Sequence, residues 1–520
     1  MDSSRFKLIL FILIASIFAL YLGIAAATAQ VKAMAWMSGG IFAAICLLLG
    51  KNVWVLIPAT LSMKGGLNLL PGQIPPWVFM TMVVGGLFLM RVALRKQSIT
   101  IRWTWIETAV LLVGLTIFQA MLRNPVGLQS LGGATAGGRP YFIFAFAASA
   151  YYLIVVSRPD AKSWRLAAIL YIILGVCDGL IQAASALSPG FGMMMIRIYS
   201  NVSVEEATIS GSGYDLDETR LAFLAQIGAI LCMIACSFWR PLATLDIRKP
   251  WRALIGGIGI VCILLSGFRG ALAGVFTRFA LGSFIRGKGL DLLFVVFASS
   301  LVVIVIAMGD LGTKLPFGVQ RILSSVPIPM NLNYQAVRSA EGSSEDRFEM
   351  WEIVLRSDRF IQNKVLGDGF QFSAVEIKAM SEVRVPGSPI SQMSWMDRSL
   401  EVGNYHGFHV ETIRFTGVLG LLAATFALLV FAVYAWKAIK LHRGNELWGY
   451  VIFICMPVVI NPFWYWLVFG SYRSGYPELI AMAGMVKAIY QIGLSRSVVS
   501  EQNAPDHREQ TTRKTAASPG

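Results

Sequence analysis

The chain has 520 residues, of which 56% are hydrophobic and only 14% charged, and its mean hydropathy is +0.64. A soluble enzyme carries about a quarter charged residues, so a water-soluble globular fold is excluded. The formal net charge of +15 does not point to nucleic acid. The basic residues cluster in short loops between apolar runs, which is the positive-inside pattern of a protein embedded in a lipid bilayer.

Met1–Lys7 is short and basic, and an apolar run follows to about Ala27. Ala27-Thr28-Ala29 could be a signal-peptidase site. The run is long enough to span, so it is read as a retained first helix. Further spans are predicted at about 34–50, 53–71, 76–93, 104–121, 139–156, 166–188, 219–238, 252–267, 270–285, 290–309, 411–436, 447–470 and 476–494. Each lies near the ~20 residues that a crossing helix needs. The stretch 53–71 is weak because of Pro58 and Lys64-Gly65-Gly66, and 270–285 because it is short and holds Arg278. The expectation is an all-α integral membrane protein of about 12–14 transmembrane helices.

Loop charges set the orientation. Arg91, Arg95, Lys96 and Arg102 share one side with Arg158, Arg240, Arg248, Lys288, Lys437 and Arg443. That side is read as cytoplasmic, with both termini on it. The opposite side receives loops 122–138 and 189–218 and one polar stretch of roughly a hundred residues. A loop of that length cannot lie in hydrocarbon, where unpaired backbone groups are too costly. The domain reading is 1–200, N-terminal helices; 201–309, helices carrying Ser266 and Arg269; 310–409, an external cap loop; 410–495, C-terminal helices; and 496–520, a polar, disordered cytoplasmic tail. Asp215-Leu216-Asp217-Glu218 reads as a solvated loop or helix start rather than a cation site. The six cysteines all fall in apolar spans, as small buried hydrophobes do, and imply neither a disulfide framework nor a metal site.

Arg269 stands between two spans in Ser266-Gly267-Phe268-Arg269-Gly270-Ala271. Arginine is costly near hydrocarbon, and its planar fork suits a phosphate or carboxylate; small neighbours allow close helix approach. Arg220 and Arg139 head two other spans, and Arg414 lies one to two turns inside the span after the cap. Each alone reads as an interface anchor, but several arginines at one membrane face make an anion site. In the cap, Arg347 and Trp351 are four apart and share a face of a helix expected to open at Ser343 or Ser344, and Gly367 and Gly369 mark a tight turn. His406 and His409, with Glu411 nearby, lack a third ligand at zinc spacing. His406 is the better candidate for a general base, and His409 for a supporting role. Asp178, in mid-span, is either a proton-relay acid or a partner for an arginine.

Ser266-x-x-Arg269-Gly270-Ala271, then Arg347-x-x-x-Trp351, Gly367-x-Gly369, and His406 ahead of Gly417-Val418-Leu419-Gly420 together resemble the O-antigen ligase and O-antigen polymerase superfamily of bacterial membrane glycosyltransferases. The resemblance covers about residues 205–425. Two positions depart from it: His406-Gly407 stands where the family usually has His-Asn, and Thr219-Arg220-Leu221-Ala222 where it often has Pro-Asn before Leu-Ala. The resemblance implies a fold like that of GT-C-type membrane glycosyltransferases, in the bacterial inner membrane with the cap in the periplasm. It implies transfer from a polyprenyl-pyrophosphate-linked glycan donor, independent of metal and without a cofactor. His406, Arg269 and Arg347 are expected to be catalytic, and Arg220, Arg414, Arg139, Trp351 and His409 to bind substrate. The acceptor is either a growing saccharide, in a polymerase for lipopolysaccharide or exopolysaccharide, or lipid A-core, in a ligase. Other polysaccharide-export proteins are expected partners. A secondary transporter built around Asp178 and a passive assembly subunit are the readings from other classes.

Overall fold

The computed structural model describes residues 48–68, 73–94, 101–125, 138–200, 221–246, 248–371, 393–468 and 470–502, with scattered single positions that include Glu376. Residues 1–53 form one unit and 54–520 another. The described positions of the first unit are helical. The second is almost wholly helical. Its helices are α1 (Leu56–Leu61), α2 (Pro76–Ala93), α3 (Trp105–Arg123), α4 (Gly138–Val156), α5 (Ala161–Leu187), α6 (Pro189–Ile196), α7 (Ala222–Phe238) and α8 (Pro250–Leu265). They continue with α9 (Arg269–Ile285), α10 (Gly289–Met308), α11 (Phe317–Leu323), α12 (Tyr334–Arg356), α13 (Trp395–Val402), α14 (Phe408–Leu441), α15 (Trp448–Leu467) and α16 (Gly475–Gln502). An antiparallel ribbon pairs β1 (Gly66–Leu67) with β2 (Tyr199–Ser200).

Local sequence explains the helix boundaries. Thr104 and Glu107 form a capping box that opens α3, and Asp160 with Ser163 does the same for α5. Pro76 and Pro250 occupy first-turn positions, where the missing N–H costs nothing.

Seven of the described helices, α2, α3, α4, α5, α10, α14 and α15, are long and apolar enough to cross a membrane. The chain is thus a multi-pass membrane protein. In the apolar window of α10 only 6% is buried within the protein, an exposure that water would penalise and lipid accepts. The expected 12–14 cannot be counted against this number, because the predicted first span and most of 34–50 lie outside the described residues. Helices α7 and α8 are apolar but shorter; at 1.5 Å per residue their 17 and 16 residues fall short of the ~30 Å hydrocarbon core. The predicted span 53–71 ends its helix at Leu61 and turns into the ribbon.

Hydrogen bonds join the end of α3 and the start of α4 to residues 366–370, these to the start of α14, and the start of α14 to the turn between α15 and α16; the residue before α7 bonds to the turn between α8 and α9. Residues 366–370 belong to the polar segment between α10 and α14. Small residues set the tight crossings: a Cβ at Gly228 would come 2.7 Å from the Gly259 carbonyl oxygen, so α7 and α8 meet backbone to backbone. Of the small residues around Arg269 expected to allow close approach, Gly274 does so and Gly270 does not. A Cβ at Gly270 would meet nothing within 4 Å, and it is Gly274 whose Cβ would meet the Trp464 ring at 3.3 Å.

The polar segment has its own small core of Met350, Val354, Ile361, Tyr405 and Val410. Two of these belong to α12 and one to α14, so the segment and the membrane helices share one apolar cluster. Helix α12 is longer than expected. It opens at Asn333, whose side chain accepts from the Gln335 N–H (2.9 Å), and Ser343 and Ser344 lie inside it.

Candidate active site

The polar segment is pinned to the bundle by residues 363–370. Helix α14 is interrupted at Gly417, with φ 73° and ψ −175°. That conformation is essentially reserved for glycine. Breaking the helix there frees backbone groups, and the incoming strand pairs with them: Val418 N–H donates to Lys364 O (2.8 Å), Asp368 N–H to Arg414 O (2.7 Å) and Gly369 N–H to Phe415 O (3.0 Å). A Cβ on Gly367 would lie 2.5 Å from the Gly417 nitrogen. Gly367 and Gly369 both have positive φ, and neither position leaves room for a side chain. The Asp368 carboxylate folds the loop by accepting from the N–H groups of Gln362 and Asn363. Gln119, Arg123 and Asn124 at the end of α3 donate to its carbonyls. Phe370 is fully buried and packs on Tyr141, Phe144 and Phe415. The glycine pair expected to make a tight turn is therefore the docking point of the segment.

A second contact is built around Trp351. Its indole N–H donates to the Tyr405 carbonyl (2.8 Å), and its ring stands edge-on to His409 at 4.6 Å. Gly407 lies under the ring, where a Cβ would come 2.6 Å from the indole nitrogen. An asparagine at 407 would have no space. Between these two residues His406 takes φ 50°, the left-handed region that non-glycine residues seldom occupy. The imidazole of His409 also stacks with Trp466, at 6.0 Å and 8° between planes. Its Nδ1 is buried with no hydrogen-bond partner among the described residues.

Arg269 opens α9 after a turn in which Gly267 has φ 71° and the Ser266 hydroxyl accepts from the Phe268 N–H (3.3 Å). Its guanidinium reaches Ser325, beyond α11, at 3.3 Å. Arg347, half-buried on α12, lies close enough for the Arg269 charge to act on it: burial, and then that like charge, hold Arg347 below the usual arginine range. Arg347 is one helical turn before Trp351. Residues from α9, α12 and the start of α14 thus converge on one region, which holds Arg269, Arg347, Trp351 and His409, with His406 in the adjoining turn.

Two other expected anion ligands, Arg414 and Arg139, lie elsewhere. Arg414 is buried, paired with Glu376 and bonded to the Tyr405 hydroxyl (2.7 Å). Burial pushes that hydroxyl up to about 12, with the Arg414 charge pulling the other way. Arg139 is exposed and donates to the Gln73 carbonyl (2.6 Å). Arg220 lies outside the described residues. The next residue, Leu221, donates its N–H to Ser266 O (3.2 Å), in the turn that precedes Arg269.

Sequence reasoning missed Arg473, between α15 and α16. Its charge acts on Arg139. Burial holds its own guanidinium down, and Glu411 opposes that shift. The signal was present: a basic residue in a short loop on the side where the positive-inside pattern expects few. A cavity of about 340 Å³ adjoins Arg414 and is lined among others by Asn124, Arg359, Phe360, Asp368, Glu376 and Glu401. Asp178 is fully buried. Its carboxylate accepts from Tyr199, Gln182, Gln226 and the Lys64 backbone N–H, which ties the ribbon to α5 and α7. Among the described residues no three His, Cys, Asp or Glu side chains group as metal ligands do. Compared with known proteins, the chain matches no family model and no curated protein.

Proposed function

We propose that the chain is a glycosyltransferase of the periplasmic membrane face that transfers glycan from a polyprenyl-pyrophosphate donor and polymerises repeat units of a surface polysaccharide. The observation that carries this reading is the approach of Arg269 to Arg347 beside the Trp351–His409 contact. Two like charges brought together at the mouth of a helix bundle favour a polyanion between them, and a pyrophosphate is one. As the bond from the anomeric carbon to the pyrophosphate oxygen breaks, negative charge grows on that oxygen, and the two guanidinium groups stabilise it. The acceptor hydroxyl oxygen forms the new bond to the same carbon, and its proton passes to His406. The cavity beside Arg414 mixes donors, acceptors and the Phe360 ring, a lining that suits the hydroxyls and apolar faces of a sugar acceptor.

Transport rests on Asp178. Its surroundings favour a packing role, because four neutral donors already occupy the carboxylate. The test is purified protein in nanodiscs with a polyprenyl-pyrophosphate-linked repeat unit and excess chelator, products resolved by size. A ladder of longer lipid-linked glycans is expected. Transfer only when lipid A-core is added makes the protein a ligase, and absence of transfer from either mixture refutes the proposal.

A further inference from the structure

A second cavity of about 340 Å³ lies among the membrane helices, lined by none of the residues placed in the site above. This volume is at the lower end for small-ligand pockets, ~300–1,000 Å³. Its polar lining is Lys64, Tyr171, Arg278, Asn461, Tyr465 and Glu478. Arg278 is nine residues along α9 from Arg269, about 13 Å deeper at 1.5 Å per residue. Ile230, Phe453 and Met482 are among the apolar walls.

The polar groups are out of balance. Lys64 and Glu478 pair with each other. Among the described residues, Arg278 makes no hydrogen bond or ion pair. The titratable groups acting on it are Cys236, Cys232 and Tyr171, with no carboxylate among them. Nor do the Asn461 amide, the Tyr171 hydroxyl or the Tyr465 hydroxyl have a hydrogen-bond partner among the described residues. All four groups are donors. An uncompensated guanidinium at this depth is strongly unfavourable. Water could take the hydrogen bonds but not the charge. A carboxylate ligand offers two oxygens to this ring of donors, and a phosphate monoester three.

We propose that this cavity binds a phosphate group, with Arg278 as its counter-ion and Tyr171, Asn461 and Tyr465 as further donors. The apolar walls suit an attached alkyl chain, so the bound molecule is a phosphate-bearing amphiphile drawn from the bilayer. The inference does not rest on the glycosyltransferase reading, because it uses none of the residues placed in that site.

The experiment follows thermal unfolding of the full-length, delipidated protein in neutral detergent, with dodecyl phosphate, inorganic phosphate or dodecyl maltoside added. Dodecyl phosphate is expected to raise the midpoint of the wild type by about 5 °C, a ligand bound only by the folded state being stabilising. Arg278→Gln is expected to bind [32P]dodecyl phosphate at least ~10-fold more weakly, because the charge-assisted contacts are lost. Arg278→Met removes the uncompensated charge, so without ligand it is expected to unfold no lower than wild type, and with dodecyl phosphate the order reverses. Arg248→Gln, at an exposed position outside both sites, is expected to bind dodecyl phosphate as wild type does, which shows that the loss in Arg278→Gln belongs to this cavity. Equal protection by inorganic phosphate supports the site with free phosphate as its ligand. Protection by dodecyl phosphate alone supports the lipid. No protection by either phosphate, or equal binding by wild type and Arg278→Gln, overturns the proposal.

Discussion

Replacing Gly417 by alanine tests the joint between the polar segment and the bundle. At φ 73° and ψ −175° a residue with a side chain pays about 1–3 kcal/mol in backbone energy alone. The steric cost adds to this, because the new Cβ would fall on the Val365 carbonyl and 2.5 Å from the Leu366 nitrogen. Both obstacles are backbone, so no rotamer relieves them, and the strand must move outward. That movement strains the bonds from Val418, Asp368 and Gly369, each worth about 0.5–1.5 kcal/mol net and more if a donor stays buried and unpaired. The expected loss in docking free energy is about 3–5 kcal/mol, and one factor of ten in population corresponds to ~1.4 kcal/mol. Hydrogen exchange followed by mass spectrometry should therefore show amides 368, 369 and 418 losing at least ~100-fold in protection. Gly270→Ala is the control, since its Cβ would meet open space within a helix; it should be neutral or stabilising by up to ~1 kcal/mol. Unchanged protection in Gly417→Ala would refute the argument that this glycine holds the segment down.

Three further tests bear on the site. Arg269→Lys keeps the charge but loses the bidentate fork; kcat/KM should fall at least ~10-fold with the protein still in the membrane, and full activity would reduce Arg269 to a point charge. Glu376→Gln leaves Arg414 buried without its counter-charge, and breaking a buried pair costs about 3–5 kcal/mol; an unfolding midpoint equal to wild type would show that the pair contributes nothing. In a chain whose six cysteines are replaced, a cysteine at exposed Phe348 should react with an impermeant maleimide in spheroplasts and one at Arg443 should not, whereas equal labelling would overturn the orientation read from loop charge.

Some of this architecture is written locally in the sequence. Helix α2 begins at Pro76 and ends at Ala93, where the apolar run stops at a cluster of arginine and lysine, because a crossing helix is bounded by the cost of taking charge into lipid. Helix α12 was misread for the opposite reason. It is polar on most of its surface, its apolar stripe has meaning only against Tyr405 and Val410, and Ser343 and Ser344 suggest a start where none occurs. Arg414 shows a third case. Its position near a helix mouth suggested an anion ligand, but the acid that neutralises it, Glu376, comes from a stretch with no pattern to recommend it. Gly417 carries no local mark of its kink either. The conformation is imposed by Lys364 and Val365 arriving from far upstream, so only tertiary structure distinguishes it from any other helix glycine. The arginines and histidines were individually legible as costly or reactive side chains, whereas which of them meet is decided by contacts between distant segments.

His406 lets conformational strain and chemistry be separated. Its φ of 50° costs a non-glycine residue about 1–2 kcal/mol, and the turn is held from both flanks: Trp351 binds the Tyr405 carbonyl (2.8 Å), and the Gly407 carbonyl accepts from the Glu411 N–H (2.9 Å) as α14 begins. Glycine at 406 removes that cost and adds about 0.5–1 kcal/mol of unfolded-chain entropy, so His406→Gly should be more stable than wild type by about 0.5–1 kcal/mol. Asparagine tolerates the same region, so His406→Asn should be close to neutral. Neither variant has an imidazole, and a positioned proton acceptor contributes about 10²–10⁴-fold to turnover. The two effects therefore run in opposite directions: stability held or raised, turnover down by that factor, in thermal unfolding and polymerisation assays on the same preparations. Strain maintained only for packing would leave both variants active, and that outcome would remove His406 from the reaction. A fall in stability for both variants would mean that the imidazole itself holds the turn, and the base would then have to be sought at His409, whose ring lies between Trp351 and Trp466.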